Sequence, residues 1–259
     1  MIQAYTTHIE ALESMKRYPK QLYVLGDTSL LQRRKISIVG TRRPSLYTQH
    51  QTQQLALALA QRGVCLVSGA AMGVDALVHY GAGFNNTIAV VANSLDIRYP
   101  AINREMITEI EKQGLMMSQF PVTTKAAPWS FVVRNELVVA LGEVLIVTEA
   151  DENSGSMRSV EFAQKMGKKV YVLPHRLGES SGTNSLLKEG LAEVIYDIDT
   201  FANTFGTVPQ NEKMPKDDFF YFCQKSPTFD DAIAQYGDRV YEAELEGIVY
   251  VEDGLVRLA

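Results

Sequence analysis

Val64-Cys-Leu-Val-Ser68-Gly-Ala-Ala-Met-Gly73-Val-Asp75 runs from an apolar tetrad through small residues into a stretch with helical spacing. Four consecutive apolar residues suit a strand covered on both faces, and the glycines and alanines that follow suit a tight strand-to-helix turn. The pattern repeats outward from there. Short apolar runs, rich in β-branched residues, occupy 21–25, 36–39, 87–92, 144–147 and 170–173, and helical spacing fills 47–61 and 156–166. Alternation of strand and helix predicts a mostly parallel sheet with helices on both faces, a doubly wound Rossmann-like α/β domain.

Composition agrees with a globular chain: 259 residues, 46% hydrophobic, 21% charged, net charge −5. These values exclude a disordered, collagenous or coiled-coil chain. No apolar run approaches the roughly 18 residues that a membrane helix needs. Residues 1–20 carry His, Glu and Lys where a signal peptide needs an apolar block, so the expected location is the cytoplasm, with no membrane contact. Cys65 and Cys223 are far apart, and there is no CxxC pair to suggest a disulfide framework or a zinc site.

The charge is unevenly spread. Residues 207–259 hold five Lys or Arg and eleven Asp or Glu, a net −6, which leaves the preceding chain at +1. The shift predicts a large domain over 1–206, with 1–35 as a lead-in, a polar proline-containing linker over 207–215, and a small acidic domain over 216–259.

In a parallel sheet, the loops that leave the carboxyl ends of the strands share one edge, so distant segments converge there. Residues 40–45, 68–75, 93–100 and 148–156 are such loops, and among them they hold Gly, Ser, Thr, Asn and Arg. Small residues at a helix start aim backbone N–H groups at an anion. Neither G-x-G-x-x-G nor G-x-x-x-x-G-K-[ST] is present, which argues against NAD and ATP hydrolysis, and no cofactor is expected. Arg42 and Arg43 suit forked contacts to phosphate oxygens. Trp129 and Phe131 beside Arg134 and Asn135 supply the aromatic-plus-cation surface used to stack unpaired bases.

The ordered series Ile38-Val-Gly-Thr-Arg-Arg-Pro-Ser45, Ser68-Gly-Ala-Ala-Met-Gly-Val-Asp-Ala-Leu-Val-His79, Leu95-Asp-Ile-Arg-Tyr-Pro100, Phe131-Val-Val-Arg-Asn135 and Ser154-Gly-Ser-Met157 resembles the DNA-processing protein A family, DprA or Smf. With Gly182-Thr-Asn184 and Gly190-Leu-Ala, the likeness covers about residues 18 to 200. It implies an extended Rossmann-like fold, binding of single-stranded DNA without catalysis, a homodimer, and loading of RecA onto incoming strands in natural transformation. Carried over residue by residue, the resemblance implies that Arg42 or Arg43 holds the DNA backbone. Ser68, Gly69 and Gly73 would line a phosphate cradle completed by Gly155 and Ser156, and Phe131 and Arg134 would flank bases, with Asn135 and Lys165 completing the DNA-contacting set. Glu136, Asn93-Ser94 and His175-Arg176 depart from the family's usual residues. Some members carry an extra helical domain in front, for which the residues before the 36–39 strand leave too little room.

The acidic tail reads as helices over 216–225, 228–236 and 238–246, then a hairpin over 248–258 with an Asp253-Gly254 turn, an order similar to a small winged helix. Its third helix carries Glu242, Glu244 and Glu246 against Arg239, which opposes duplex binding through that face. A protein partner, or a brake that mimics DNA, is the expectation for the tail.

Two other functions compete. A nucleotide phosphoribohydrolase would need a general-base Glu where this chain has Ser159, with Glu161 two positions late. No nucleophile and base stand at a recognisable spacing, and His79 and His175 lack such partners. A metal-dependent nuclease would need Asp75, Asp96 and Asp151 to converge, whereas such residues commonly cap helices. A pure adaptor acting on RecA is the third class. The sequence therefore predicts no catalytic residue and no metal ligand.

Overall fold

The computed structural model describes residues 1–208, 218–245 and 247–258. The chain forms two compact units, Met1–Val208 and Pro209–Ala259. The linker expected over 207–215 lies, from residue 209 onward, outside the described residues, as does Glu246.

The first unit is built on a nine-stranded mixed sheet, in sequence β1 (Gln3–Ala4), β2 (Tyr23–Gly26), β3 (Lys35–Val39), β4 (Cys65–Ser68), β5 (Thr87–Val90), β6 (Leu115–Ser118), β7 (Leu145–Val147), β8 (Val170–Val172) and β9 (Glu193–Val194). Its spatial order is β1-β2-β6-β5-β4-β3-β7-β8-β9. Strands β6 to β9 in that order are parallel, while β2 runs antiparallel to β6 and β1 antiparallel to β2. The fold is thus Rossmann-like α/β. Winding proceeds from β3 outward to β6 and then returns to the other side of β3 with β7, so the topological switch lies between β3 and β7. A doubly wound sheet opens its ligand crevice there, at the carboxyl ends of the strands.

Helices α1 (Leu46–Gln61), α2 (Val74–Ala82), α3 (Arg104–Gln113), α4 (Pro128–Leu141), α5 (Gly155–Lys165), α6 (Ser181–Lys188) and α7 (Ile198–Asn203) complete this unit. Alternate strand residues point to opposite faces. Ile36, Ile38, Leu66 and Ile146 pack with Leu55 and Leu59 of α1 and Val74 and Val78 of α2. Val39, Val67, Val90 and Val147 meet Leu137 and Leu141 of α4 and Val160 and Ala163 of α5. Both faces are dry, which is why these strands read as continuous apolar runs. Ser45 caps α1, its hydroxyl accepting the Thr48 N–H at 3.2 Å.

Among the described residues the second unit has three helices, α8 (Asp218–Cys223), α9 (Phe229–Tyr236) and α10 (Arg239–Leu245), and a hairpin of β10 (Val249–Glu252) and β11 (Leu255–Leu258). Thr228 caps α9 by accepting the Asp231 N–H at 3.2 Å. Asp253 and Gly254 have φ of 53° and 75°, the left-handed pair that a tight two-residue hairpin turn requires. Phe219, Cys223, Ala232, Val240, Val249 and Val256 form its small core.

Ile146 is fully buried at the centre of β7 beside the switch. Replacement Ile146→Ala should lower the stability of the first unit by about 2–5 kcal/mol, because the side chain is lost and the void cannot fully collapse. Urea unfolding followed by Trp129, the single tryptophan, reads that unit alone. A shift under about 1 kcal/mol would contradict the dry-interior assignment.

Candidate nucleic-acid interface

The switch-point crevice is a cavity of about 370 Å³ whose lining includes Arg42 after β3, Gly69 and Met72 after β4, Phe131, Arg134 and Asn135 from α4, and residues 154–156 with Ser159 from α5. Each comes from a different crossover. Convergence follows from the parallel register of β3 with β4 and β7, which brings their carboxyl ends to one edge.

Arg134 organises the floor. It is 5% exposed, with its guanidinium donating to the Gly69 carbonyl and, at 3.0 Å, to the Val90 carbonyl. Asp75 Oδ2 lies 3.8 Å from the same nitrogen and accepts the Ala71 N–H at 3.3 Å. Burial pulls the Arg134 guanidinium below its ordinary value, the Asp75 carboxylate opposes that, and Arg42 reinforces it. A charge so deeply buried requires this pairing. Asn135 continues the bracket, its amide donating to the Gly155 carbonyl at 3.4 Å.

The glycines of the β4–α2 turn are sites of close approach. Gly73 has φ of +77°, and a Cβ there would lie 2.6 Å from the Arg42 carbonyl carbon. At Gly69 a Cβ would strike the Arg134 guanidinium. Both glycines therefore let the three loops pack together. Ser68 is wholly buried below the crevice, where its hydroxyl donates to the Ile38 carbonyl at 2.7 Å. The first N–H of α2, that of Val74, donates to the Thr41 carbonyl at 3.1 Å.

The start of α5 is different. Within its first turn the Met157 N–H donates to the Ser154 carbonyl at 3.2 Å, and the N-cap residue, Ser154, supplies no side-chain cap to the N–H groups ahead of it. Ser154 Oγ and Ser159 Oγ are buried with no hydrogen-bond partner, and both residues line the crevice. Ser159 is 1% exposed. Buried unpaired hydroxyls at the open end of a helix dipole fit an anionic ligand.

Above this floor, Arg42 lies over the Phe131 ring at 5.2 Å, and Phe131 is tilted against Tyr99 at 6.4 Å. Tyr99, Pro100, Met72 and Phe131 line a small apolar recess that adjoins the crevice. Arg43 is exposed on the same turn as Arg42 but does not line the cavity. Lys165 ends α5 ten residues after Gly155, about 15 Å away along the helix, and is not brought to the crevice. The structure thus gathers Arg42, Gly69, Phe131, Arg134, Asn135, Gly155 and Ser156 into one lining. It places Ser68 beneath it, Gly73 at its rear packing contact, Arg43 beside it and Lys165 away from it.

Sequence reading passed over three participants. Glu149 joins the β3 and β7 loops by accepting from the Ser45 N–H at 3.0 Å and its hydroxyl at 2.9 Å. Tyr99 and Ser159 are the others, and for these two the motif text and the Ser159 position were the available signals. Asp75, Asp96 and Asp151 are not gathered: Asp96 accepts the Thr123 N–H at 3.1 Å, Ser181 donates to Asp151 at 3.4 Å, and no metal-holding group of three forms among the described residues. Asn93 and Ser94 are buried and internally bonded, with Asn93 donating to the Ser94 carbonyl at 2.8 Å. His175 meets the Thr148 carbonyl at 2.7 Å. Among the described helices none is long and apolar enough to cross a membrane.

Comparison with known proteins places this geometry. Residues 3–206 match the family DNA recombination-mediator protein A. Protein Smf of Synechocystis sp. is 33% identical over 199 residues, which are 74% of this chain and 50% of that protein. The chain therefore aligns with about half the length of that curated relative. DNA processing protein A from Helicobacter pylori, whose structure was described for its single-stranded DNA binding mode, is 43% identical with a TM-score of 0.77, covering 78% of this chain and 94% of that one. DprA from Streptococcus pneumoniae is 26% identical with a TM-score of 0.74, covering 80% and 75% respectively.

His79 gives this region a measurable pH response. Thr87 Oγ1 donates to the Leu66 carbonyl at 3.1 Å, so it accepts from His79 Nδ1–H at 2.6 Å, and Nε2 is left buried without a partner. Burial, aided by the nearby Arg134 charge, pushes the His79 pKa down to about 3. As pH falls below about 6.5, the unfolded chain takes up a proton that the folded chain refuses, and stability is lost at about 1.4 kcal/mol per pH unit. Urea midpoints from about pH 7 to about pH 5 should fall in the wild type and flatten in His79→Asn, whose amide keeps the bond to Thr87 without titrating. Equal slopes in the two proteins would contradict the neutral, buried imidazole.

Proposed function

The chain belongs to the DNA recombination-mediator protein A family, and from that premise we propose that the β3–β7 crevice binds single-stranded DNA without a catalytic step. The observation that carries this reading is the juxtaposition of the Arg42–Phe131 stack with the start of α5 and the unpaired hydroxyls of its N-cap Ser154 and of Ser159, one turn on. Stacking on an aromatic ring tolerates any base, and a cation beside it holds the backbone. The α5 turn accepts a phosphate. The Helicobacter pylori protein, described for its binding of single-stranded DNA, supports the same assignment.

In this reading Arg42 and Arg43 contact phosphates, Phe131 and Tyr99 face bases, and Gly155, Ser156 and Ser159 receive a backbone oxygen. Arg134 and Asn135 hold the loops in place. Ser159 stands where a nucleotide phosphoribohydrolase would keep its general-base Glu, and a hydroxyl without a base partner does not replace it. The wider role is a homodimer that protects incoming strands and loads RecA during natural transformation. A net charge of +1 over residues 1–206 gives little attraction to DNA at long range, and two linked sites in a dimer raise avidity without added charge. The second unit is read as a winged-helix-like module. Its Glu242 and Glu244 against Arg239 on α10 favour a protein contact, or competition with DNA, over binding to duplex.

Fluorescence anisotropy of a labelled oligothymidine tests the assignment. Arg42→Ala with Arg43→Ala should weaken binding by about tenfold or more and lower the salt slope by about two phosphate contacts. Unchanged affinity and slope would remove the crevice from DNA binding, and no binding by folded wild type would redirect the reading to the protein adaptor.

A further inference from the structure

A cavity of about 800 Å³ lies at the opposite edge of the sheet, where β3, β7 and β8 begin. Lys35 opens β3, Glu143 precedes β7, and Lys168 precedes β8, and all three line it. Lys35 Nζ donates to the Leu31 and Arg33 carbonyls, each at 2.7 Å. Lys168 Nζ donates to the Ala140 carbonyl at 2.6 Å and to the Gly142 carbonyl. An ammonium group has three donors, so each lysine keeps one beyond its carbonyl pair.

Neither lysine forms an ion pair among the described residues. The acid nearest at hand, Glu143, is engaged by Arg34 through two bonds of 2.6 and 2.8 Å. Arg33 is turned to the Gly63 carbonyl and Asn86. Two half-buried ammonium groups therefore face one cavity without an anion of their own. Partly dehydrated charges are stabilised by an opposite charge brought into the same cavity.

The geometry points to a second ligand site at this edge, in which Lys35 and Lys168 together hold a compact di- or triphosphate anion, either free or as the tail of a nucleotide. An open cavity lined by two ammonium groups presents them to adjacent phosphoryl oxygens as point charges. The site is independent of the DNA crevice, which lies at the other ends of the same strands.

The electrostatics agree. Burial and the neighbouring Lys35 depress the Lys168 pKa to about 8, with Glu143 opposing, and burial likewise lowers Lys35. His8 and Glu10, from the N-terminal segment, and Arg33 and Arg34 line the same cavity and complete its charged groups. A bound anion favours the protonated lysine, so affinity is greatest below the Lys168 pKa and falls as pH rises through it.

Calorimetric titration of the full chain with inorganic pyrophosphate tests the site. Saturable 1:1 binding is expected in the wild type and in Arg42→Ala with Arg43→Ala, and weakening by about tenfold or more in Lys35→Met with Lys168→Met. Affinity should drop on raising the pH from about 7 to about 9. Because the lysines also anchor backbone carbonyls, a wild-type measurement stands beside the variants: pyrophosphate should protect Lys168 from acylation by a small anhydride, read by mass spectrometry. A deoxynucleoside triphosphate that binds as pyrophosphate does supports recognition of the phosphate chain alone, and tighter binding supports a nucleotide tail. Absence of saturable binding or of protection, loss in the arginine variant with retention in the lysine variant, or displacement by oligothymidine would overturn the proposal.

Discussion

One buried guanidinium holds the crevice together. Arg134 reaches from α4 to the carbonyl ends of β4 and β5, and Asp75 at the start of α2 supplies its counter-charge. Without it, the Gly69 and Val90 carbonyls would lose its two donors, and Asp75 would keep only the Ala71 N–H. Breaking such a pair from one side costs about 3–5 kcal/mol. The glycines follow from the same constraint, since Gly69 leaves room for the guanidinium and Gly73 lets the β4 loop rest on the β3 turn. Rigid loops are what a binding site needs when its ligand is flexible, because the strand then bears the ordering cost alone.

Charge is concentrated rather than abundant. The first 206 residues carry a net +1, and within the crevice one arginine is neutralised in the floor while Arg42 stands over Phe131. The open end of α5 adds partial positive charge without a side chain. The other edge of the sheet repeats the theme differently, with lysines tethered to carbonyls around a cavity. Both edges owe their chemistry to strand ends, where backbone groups leave the ladder and meet side chains.

Most of the parallel sheet was legible because its strands are buried on both faces and rich in β-branched residues. The strand β6, Leu115-Met-Met-Ser118, was not, since leucine and methionine carry no strand preference and the run is only four residues long. The short antiparallel edge, β1 with β2, depends on pairing that local pattern does not encode. At the site, the loops were legible from small residues after strands, but the division of labour within them was not. Ser130, Arg134, Leu137, Val138 and Leu141 recur at helical spacing and are all buried. That spacing belongs to the inward face of α4, a helix that the aromatic-plus-cation reading of Trp129 to Asn135 did not include, whereas the motif alone suggested a base contact. Ser68 was likewise assigned to the cradle because small residues follow the strand and the resemblance carried it over, although its own side chain points into the sheet. Lys165 shared a helix with the site but stands at its far end.

The central claim is that loops from four crossovers act as one surface for single-stranded DNA. Amide hydrogen exchange of the full chain, with and without saturating oligothymidine, tests it most directly because it needs no substitution. The account predicts slowed exchange confined to residues 40–45, 69–75, 128–135 and 153–157, with no change along the opposite sheet edge near Lys35 and Lys168. Protection confined to the acidic second unit, or to the opposite edge, would contradict it.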